Sequence, residues 1–473
     1  MRPTFFGLDI ARRALQAQMR ALDVVGHNIA NANTPGYSRQ VAIFATTDPY
    51  PAPMFNSTIQ AGQVGTGVQI EAIRRLRDEF VEMQLRNETE SLGRWNARYE
   101  ALQQVELFLA EPSEYGLRDA LDRFWQSLQD LHQQPESDAA RAVVRERALL
   151  LAASFQHVHK QLTDLRLDLN RSVEIEVQKI NNLAARLANI NAQIHRVHLS
   201  GQEPNDLLDQ RDQLILELAE IVDISVLERD NRTVQISING LSIVDGERWI
   251  ALETKGNPAN NNLLSVYWGL TGQELQITNG RLAGVLEARD QLVAGYLAQL
   301  DKLAKTIIDE FNAVHRAGFT LEQDVSGQAI QGGDFFVGTG AEDIWVDASI
   351  LGNLRLIAAS KDGTPGSGEN ALKLAAVFHT PNVIDGVSIA DYLRSMIAGV
   401  GVAGQQARSM VASQTALVDH LHTRREAVSG VSLDEEMIDM VRFQQAYAAA
   451  ARLVTAMDEA LETIILRMGV VGR

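Results

Sequence analysis

The sequence predicts a mainly α-helical protein with a smaller β part. It reads as a long helical-bundle or coiled-coil terminal domain joined to a helical rod domain that bears short antiparallel β hairpins. Three observations carry this reading. First, only 11 prolines interrupt 473 residues, and residues 136–203 and 382–473 contain none. Second, Leu162, Leu165, Leu169, Val173, Val177, Ile180, Leu183, Leu187, Ile190, Ile194 and Val197 recur at steps of three and four, one face of a single long helix. Third, Met440, Tyr447, Val454 and Leu461 are seven apart, as are Phe443, Ala450, Met457 and Ile464, which are the a and d positions of a coiled coil.

Taken in order, Leu8, Ala11, Leu15, Met19, Leu22, Val25 and Ile29 make an apolar seam on an N-terminal helix that ends near 30–33. Pro35 and Gly36 suit positions i+1 and i+2 of a type II turn, and Tyr37–Ala45 has strand composition. Residues 72–131 read as helix with a break near Pro112, and 282–315 continue a helical pattern. Strand signals fall in 222–281, where Asn239-Gly240 offers a type I′ turn between alternating segments, and in 334–360. A helix from Ser388 to about Val428 opens on Ser388-x-x-Asp391. After Gly430, Ser432-x-x-Glu435 forms a second capping box. The expected domains are therefore discontinuous. Residues 1–45 and 431–473 pair as an inner tube-forming domain, and 46–430 form the rod domain with its β subregions.

Composition narrows the chemistry. There is no cysteine, which excludes disulfides, thiolate metal sites and a cysteine nucleophile. The net charge of −17 and pI near 5.1 argue against nucleic-acid backbones and anionic membranes as partners. No apolar run approaches a membrane span, and the start lacks the apolar region of a cleaved signal. His157-x-His159 and His420-x-His422 diverge around a helix, and His195 with His198 finds no third ligand, so no metal or cofactor is expected. Asp206, Asp209 and Asp212 read as structural charges at a helix start, paired with Arg211. No phosphate loop or nucleophile elbow is present, so no catalytic residues are expected. The two ends carry opposite charge. Residues 1–40 hold five Arg against two Asp, and 431–473 hold four Arg against seven acids. The expected self-assembly seam is Leu8, Leu15, Leu22, Ile29, Met440, Phe443, Tyr447, Val454, Met457, Leu461 and Ile464.

The stretch Asn28-Ile29-Ala30-Asn31-Ala32-Asn33-Thr34-Pro35-Gly36-Tyr37-Ser38-Arg39-Gln40 resembles the N-terminal signature of the bacterial flagellar axial proteins, the rod, hook and hook-associated family. Its signature positions are Asn28, Asn31, Asn33, Thr34, Pro35, Gly36, Tyr37 and Arg39. Ser429-Gly430-Val431-Ser432-Leu433-Asp434-Glu435-Glu436-Met437 and Phe443-Gln444-Gln445-Ala446-Tyr447 resemble the matching C-terminal signature. Pro204 through Leu214 (PNDLLDQRDQL), Phe311-Asn312-Ala313-x-His315-x-x-Gly318 and Gly333-Asp334-Phe335-Phe336 resemble the hook-associated members at the hook–filament junction.

The resemblance implies a non-enzymatic structural protein that polymerises through its terminal helices. It implies the hook protein as a partner below, a second junction protein above, and an export chaperone on the C-terminal helix. It implies export through the flagellar type III channel to an extracellular site. Phe336 is followed almost at once by Ile344-Trp345-Val346, so the outer β domain that relatives carry there is expected to be absent. A rod or hook protein sharing both ends, and a wall hydrolase fused to axial ends, are the alternatives.

Overall fold

The computed structural model describes residues 5–50, 63–109, 116–325 and 327–464. Along the chain, α1 (Phe6–Asn31) leads through a turn into β1 (Gln40–Thr46) and β2 (Val68–Arg75). Then come α2 (Glu79–Leu109), α3 (Leu117–Gln133), α4 (Asp138–Leu199) and α5 (Asn205–Ile221). Strands β3 (Ser225–Glu228), β4 (Val234–Ile238), β5 (Leu241–Asp245), β6 (Arg248–Trp249), β7 (Leu252–Asn257) and β8 (Leu263–Trp268) follow. Next are α6 (Gly280–Glu287), a π-helical turn at Ala288–Val293 and α7 (Ala294–Arg316). Strands β9 (Phe319–Gln323), β10 (Ala329–Gln331), β11 (Phe336–Val337) and β12 (Trp345–Val346) precede α8 (Ala348–Gly352), α9 (Glu369–Ala376), α10 (Ile389–Ser429) and α11 (Leu433–Glu462). The fold is mainly helical, its β part consists of small antiparallel sheets, and the terminal helices pair across the chain ends.

The chain divides into two compact units: residues 1–89, 181–251 and 416–473, and residues 90–180 and 252–415. In the first unit, the 181–199 stretch of α4 and α5 bury Leu183, Leu187, Ile194, Leu208, Leu214, Ile215 and Leu218. The sheet β3-β4-β5-β6 buries Val234, Ile236, Ile238, Ile243 and Val244. The Asn239-Gly240 turn takes positive φ at both residues, as a type I′ hairpin requires. Asn191, fully buried, donates to Val234 O (3.1 Å) and Gly246 O (2.8 Å) and pins the hairpin to α4. A separate hairpin pairs β1 with β2, from Gln40↔Arg75 to Thr46↔Val68.

The second unit is built around one apolar core in which Phe124, Phe311, Phe335, Phe336 and Phe378 cluster. Ring centroids from Phe124 to Phe311, Phe336 and Phe378 lie 5.4, 5.7 and 5.8 Å apart, within the favourable range for aromatic pairs.

Three local expectations are corrected. Residues 72–75 belong to β2, not to a helix over 72–131, because their partner β1 is far along the chain and local periodicity cannot see it. The break near Pro112 lies outside the described residues. Segment 334–360 keeps the paired Phe336–Val337 and Trp345–Val346 and an isolated bridge from Ser360 to Phe319, since 348–352 is helical and 354–356 a 3₁₀ turn. Ser432 caps α11 without a side-chain bond, and the Glu435 carboxylate that would complete the box lies instead on Arg39.

Candidate functional site

The three motifs of the first unit meet at one buried polar node. Helix α1 stops at Asn31, and Thr34-Pro35-Gly36-Tyr37 turns the chain, with Tyr37 N–H donating to Thr34 O (3.2 Å) and Gly36 at φ 79°. Asn33, Thr34 and Pro35 are exposed on this turn, while Asn31 donates back to His27 O (3.0 Å). Asn28, 1% exposed, is the hinge of the node. It donates to Gln40 O (2.8 Å) and accepts from Gln40 N–H (3.0 Å) and the Tyr37 hydroxyl (2.7 Å). Burial, then the charges of Asp206, Asp209 and Glu436, push the Tyr37 hydroxyl above the usual phenol range, so it stays a donor.

The start of α5 supplies the second wall. Its carboxylates stand three apart, and the first two face the signature. Asp206 accepts from Gln40 Nε2 (2.8 Å), and Asp209 accepts from Ser38 N–H (3.0 Å) and pairs with Arg75 (2.7 Å). Asp212 pairs with Arg75 (2.9 Å), Arg77 and Arg211. Asn205 donates to Gln40 Oε1 (3.1 Å) and Ile73 O (2.9 Å). Burial pulls the Arg211 guanidinium down to about 10; Glu228 opposes this, and Arg75 and Arg77 add to it.

The third wall is the start of α11. Glu436, 1% exposed, accepts from Arg39 Nε (2.6 Å) and Asn28 Nδ2 (3.0 Å). Arg39 also reaches Glu435 (2.6 Å) and Asp439 (3.7 Å), and its backbone N–H donates to Ser429 O (2.8 Å). Burial works against the Arg39 charge, yet its bonds to Glu436 and Glu435 raise its pKa on balance. The first and last segments are thus tied by charge-assisted bonds.

The seam residues divide by exposure. Leu8, Leu15, Leu22, Ile29, Met440, Phe443, Val454, Met457 and Leu461 are half-buried, whereas Tyr447 and Ile464 are exposed. Phe443 packs on Phe44 (5.8 Å between centroids), and Met457 lies over Gly7. The fully buried face of α1 is instead Ala11, Ala17, Ala21, Val24, Val25 and Asn28. Helix α11 turns a second apolar set outward: Leu433, Met437, Ile438, Val441 and Leu453, from 42% to 67% exposed. Sequence reasoning missed Glu436 as the centre of the node. The signal was there, since Glu436, Met440 and Phe443 fall on one helical face.

The second unit contains an analogous lock. Asn312 accepts from Phe335 and Phe336 N–H (2.8 and 2.9 Å) and donates to Phe336 O (2.7 Å). His315, fully buried, faces Gly333 O through Nδ1 (2.7 Å) and accepts from Ala358 N–H through Nε2 (3.0 Å). Burial holds its pKa down at about 4. The Phe311–Gly318 and Gly333–Phe336 motifs are therefore two halves of one contact.

These arrangements hold elements together. Among the described residues no group of three His, Asp or Glu is placed to hold a metal ion, and no helix is long and apolar enough to cross a membrane. His195 and His159 face Glu247 (2.8 Å) and Asp301 (3.7 Å).

The motifs place the chain among known proteins. Residues 102–336 match the flagellar hook-associated protein FlgK helical domain, 8–37 the flagella basal body rod protein model and 426–468 the flagellar basal body rod FlgEFG protein C-terminal model. Over 513 aligned positions spanning all of both chains, identity to flagellar hook-associated protein 1 of Bacillus subtilis is 36%. The chain belongs to the flagellar hook-associated protein 1 family. The hook-associated protein 1 of Salmonella typhimurium is 27% identical over 97% of this chain and 99% of its own. The fold is shared with the flagellar hook junction protein FlgK from Burkholderia pseudomallei at a TM-score of 0.63, 16% identity, and coverage of 73% of this chain and 100% of that one. Hook-associated protein 1 is a structural flagellar protein, not an enzyme. The rod and hook alternative shares the terminal matches, and the helical-domain match over 102–336 separates this chain from it.

Proposed function

We propose that this chain, a hook–filament junction component of the flagellum by family, connects hook to filament by lateral packing of its terminal helices. The observation that carries the reading is the outer face of α11. Pairing with α1 uses one side of the helix and leaves Leu433, Met437, Ile438, Val441 and Leu453 turned to solvent. Leu433, Met437 and Val441 stand on successive turns with Ile438 beside them, and such an apolar strip on a helix that is already paired is suited to a neighbouring helix. In an assembly of copies, residues 1–45 and 431–473 would form the inner tube, with the exposed parts of the seam at its joints.

The hook protein then sits on one side and a second junction protein on the other. Before assembly, the same apolar face of α11 needs cover, which an export chaperone would supply during passage through the type III channel to the extracellular flagellum. The hairpin of β11 and β12 closes with Phe336↔Val346 and Val337↔Trp345, which supports a form without the outer domain.

The test is incorporation. Met437→Asp with Val441→Asp, both on the outer face, should leave the monomer folded by circular dichroism and stop its incorporation onto hooks. The seam pair Val454→Asp and Leu461→Asp should also stop incorporation with the second unit still folded. Normal filaments on hooks carrying the first double variant would sink the proposal.

A further inference from the structure

We propose that the buried Asn28–Glu436 pair, with Arg39 beside it, sets the register in which α1 and α11 associate. The two helices run antiparallel: Met457 covers Gly7 at one end, and Glu436 meets Asn28 at the other. Gly7 to Asn28 and Glu436 to Met457 are both 21 residues, so the helices match over three heptads.

The apolar part of this contact is degenerate. Leu8, Leu15, Leu22 and Ile29 repeat every seven residues, and so do Met440, Tyr447, Val454 and Leu461. Sliding one helix by seven residues sets like against like and changes the apolar match little. Beyond Met457 over Gly7 and Phe443 on Phe44, the small buried residues Ala11, Ala17 and Ala21 offer little shape that opposes it.

The polar pair does not repeat. Among the described residues of α11, Glu436 is the single fully buried one, and it is a carboxylate. In the observed register it takes Arg39 Nε at 2.6 Å and Asn28 Nδ2 at 3.0 Å. Slipped one heptad in one direction it would face Ala21, which has no side-chain donor. Slipped in the other, it would pass beyond the end of α1 to Pro35. Either slip strands a buried carboxylate and leaves one Asn28 N–H without its acceptor, and a buried polar group of this kind is the best-attested device for selecting one pairing among similar ones. The inference concerns pairing inside one chain, so it stands or falls independently of the junction role.

The absence of cysteine makes the test direct. In the full-length chain, Gly7→Cys with Met457→Cys reports the observed register. Gly7→Cys with Ala450→Cys or with Ile464→Cys reports a slip of one heptad either way. With Asn28 and Glu436 intact, mild oxidation should link 7 only to 457. With Asn28→Leu and Glu436→Leu, the slipped links should rise at least tenfold. Exclusive 7–457 linkage in that variant would mean that the Gly430–Ser432 connection fixes the register, and would overturn the proposal. Should the Leu pair lose its helical circular dichroism, Asn28→Ser with Glu436→Gln carries the same two readings.

Discussion

Replacing Arg39 by Ala isolates the energetic centre of the node. Glu436 is 1% exposed and loses a guanidinium at 2.6 Å. Removing one partner of a buried ion pair costs about 3–5 kcal/mol, because the remaining charge is left in a poorly solvated place. The lost contacts to Glu435, whose side chain is 62% exposed, and to Asp439 at 3.7 Å add at most about 1 kcal/mol. Asn28 still donates to Glu436 at 3.0 Å, and the vacated space admits water. The lower end of the range therefore applies, about 3 kcal/mol, or roughly a hundredfold in the opening equilibrium of α11. Native-state hydrogen exchange on the first turns of α11 measures that equilibrium directly. Arg39→Met combined with Glu436→Met, which removes both charges, should return exchange to within about tenfold of the parent. Exchange in Arg39→Ala within threefold of the parent would refute the reasoning, since the carboxylate would then be no worse off without its partner.

Two further outcomes follow from the second unit. Asn312→Ala removes three bonds to Phe335 and Phe336 and leaves buried backbone groups unpaired, so urea unfolding should show a loss of about 3 kcal/mol; a loss under about 1 kcal/mol would contradict it. His315 titrates at about 4 when folded and near 6.5 when unfolded, so the unfolded chain binds more protons between those values. Stability should be fully present above pH 6.5 and fall by about 3 kcal/mol as pH drops toward 4. Protonation at Nε2 would set a second N–H against Ala358 N–H. His315→Gln should flatten that slope in urea titrations, and an unchanged slope would reassign it to other groups.

Much of the molecule is legible in its residues because the informative patterns are local. The ends of α1 and α10, the Pro35-Gly36 turn and the Asn239-Gly240 hairpin are set by residues adjacent in sequence, and the structure has them where the spacing puts them. Residues 72–75 were misread because their conformation depends on pairing with 40–43, more than 28 positions away. Ser432-x-x-Glu435 has the form of a capping box, but the Glu435 carboxylate lies instead on Arg39, almost 400 positions earlier. Of the three aspartates of α5 only Asp212 reaches Arg211 as the sequence suggests, while the partners of Asp206 and Asp209 in the signature are invisible in it, since nothing local connects Ser38 to Asp209. Glu436 shows the general limit. Three consecutive acids, Asp434, Glu435 and Glu436, open α11, and only the tertiary fold decides that the first two are in solvent and the third is the keystone.

The central claim is that this chain links hook to filament, and deletion of its gene in the parent bacterium tests that most directly. Electron microscopy with an assay of the medium should find complete hooks that carry no filament, with flagellin released outside the cell. Cells lacking the hook itself would place the chain below the junction and contradict the account.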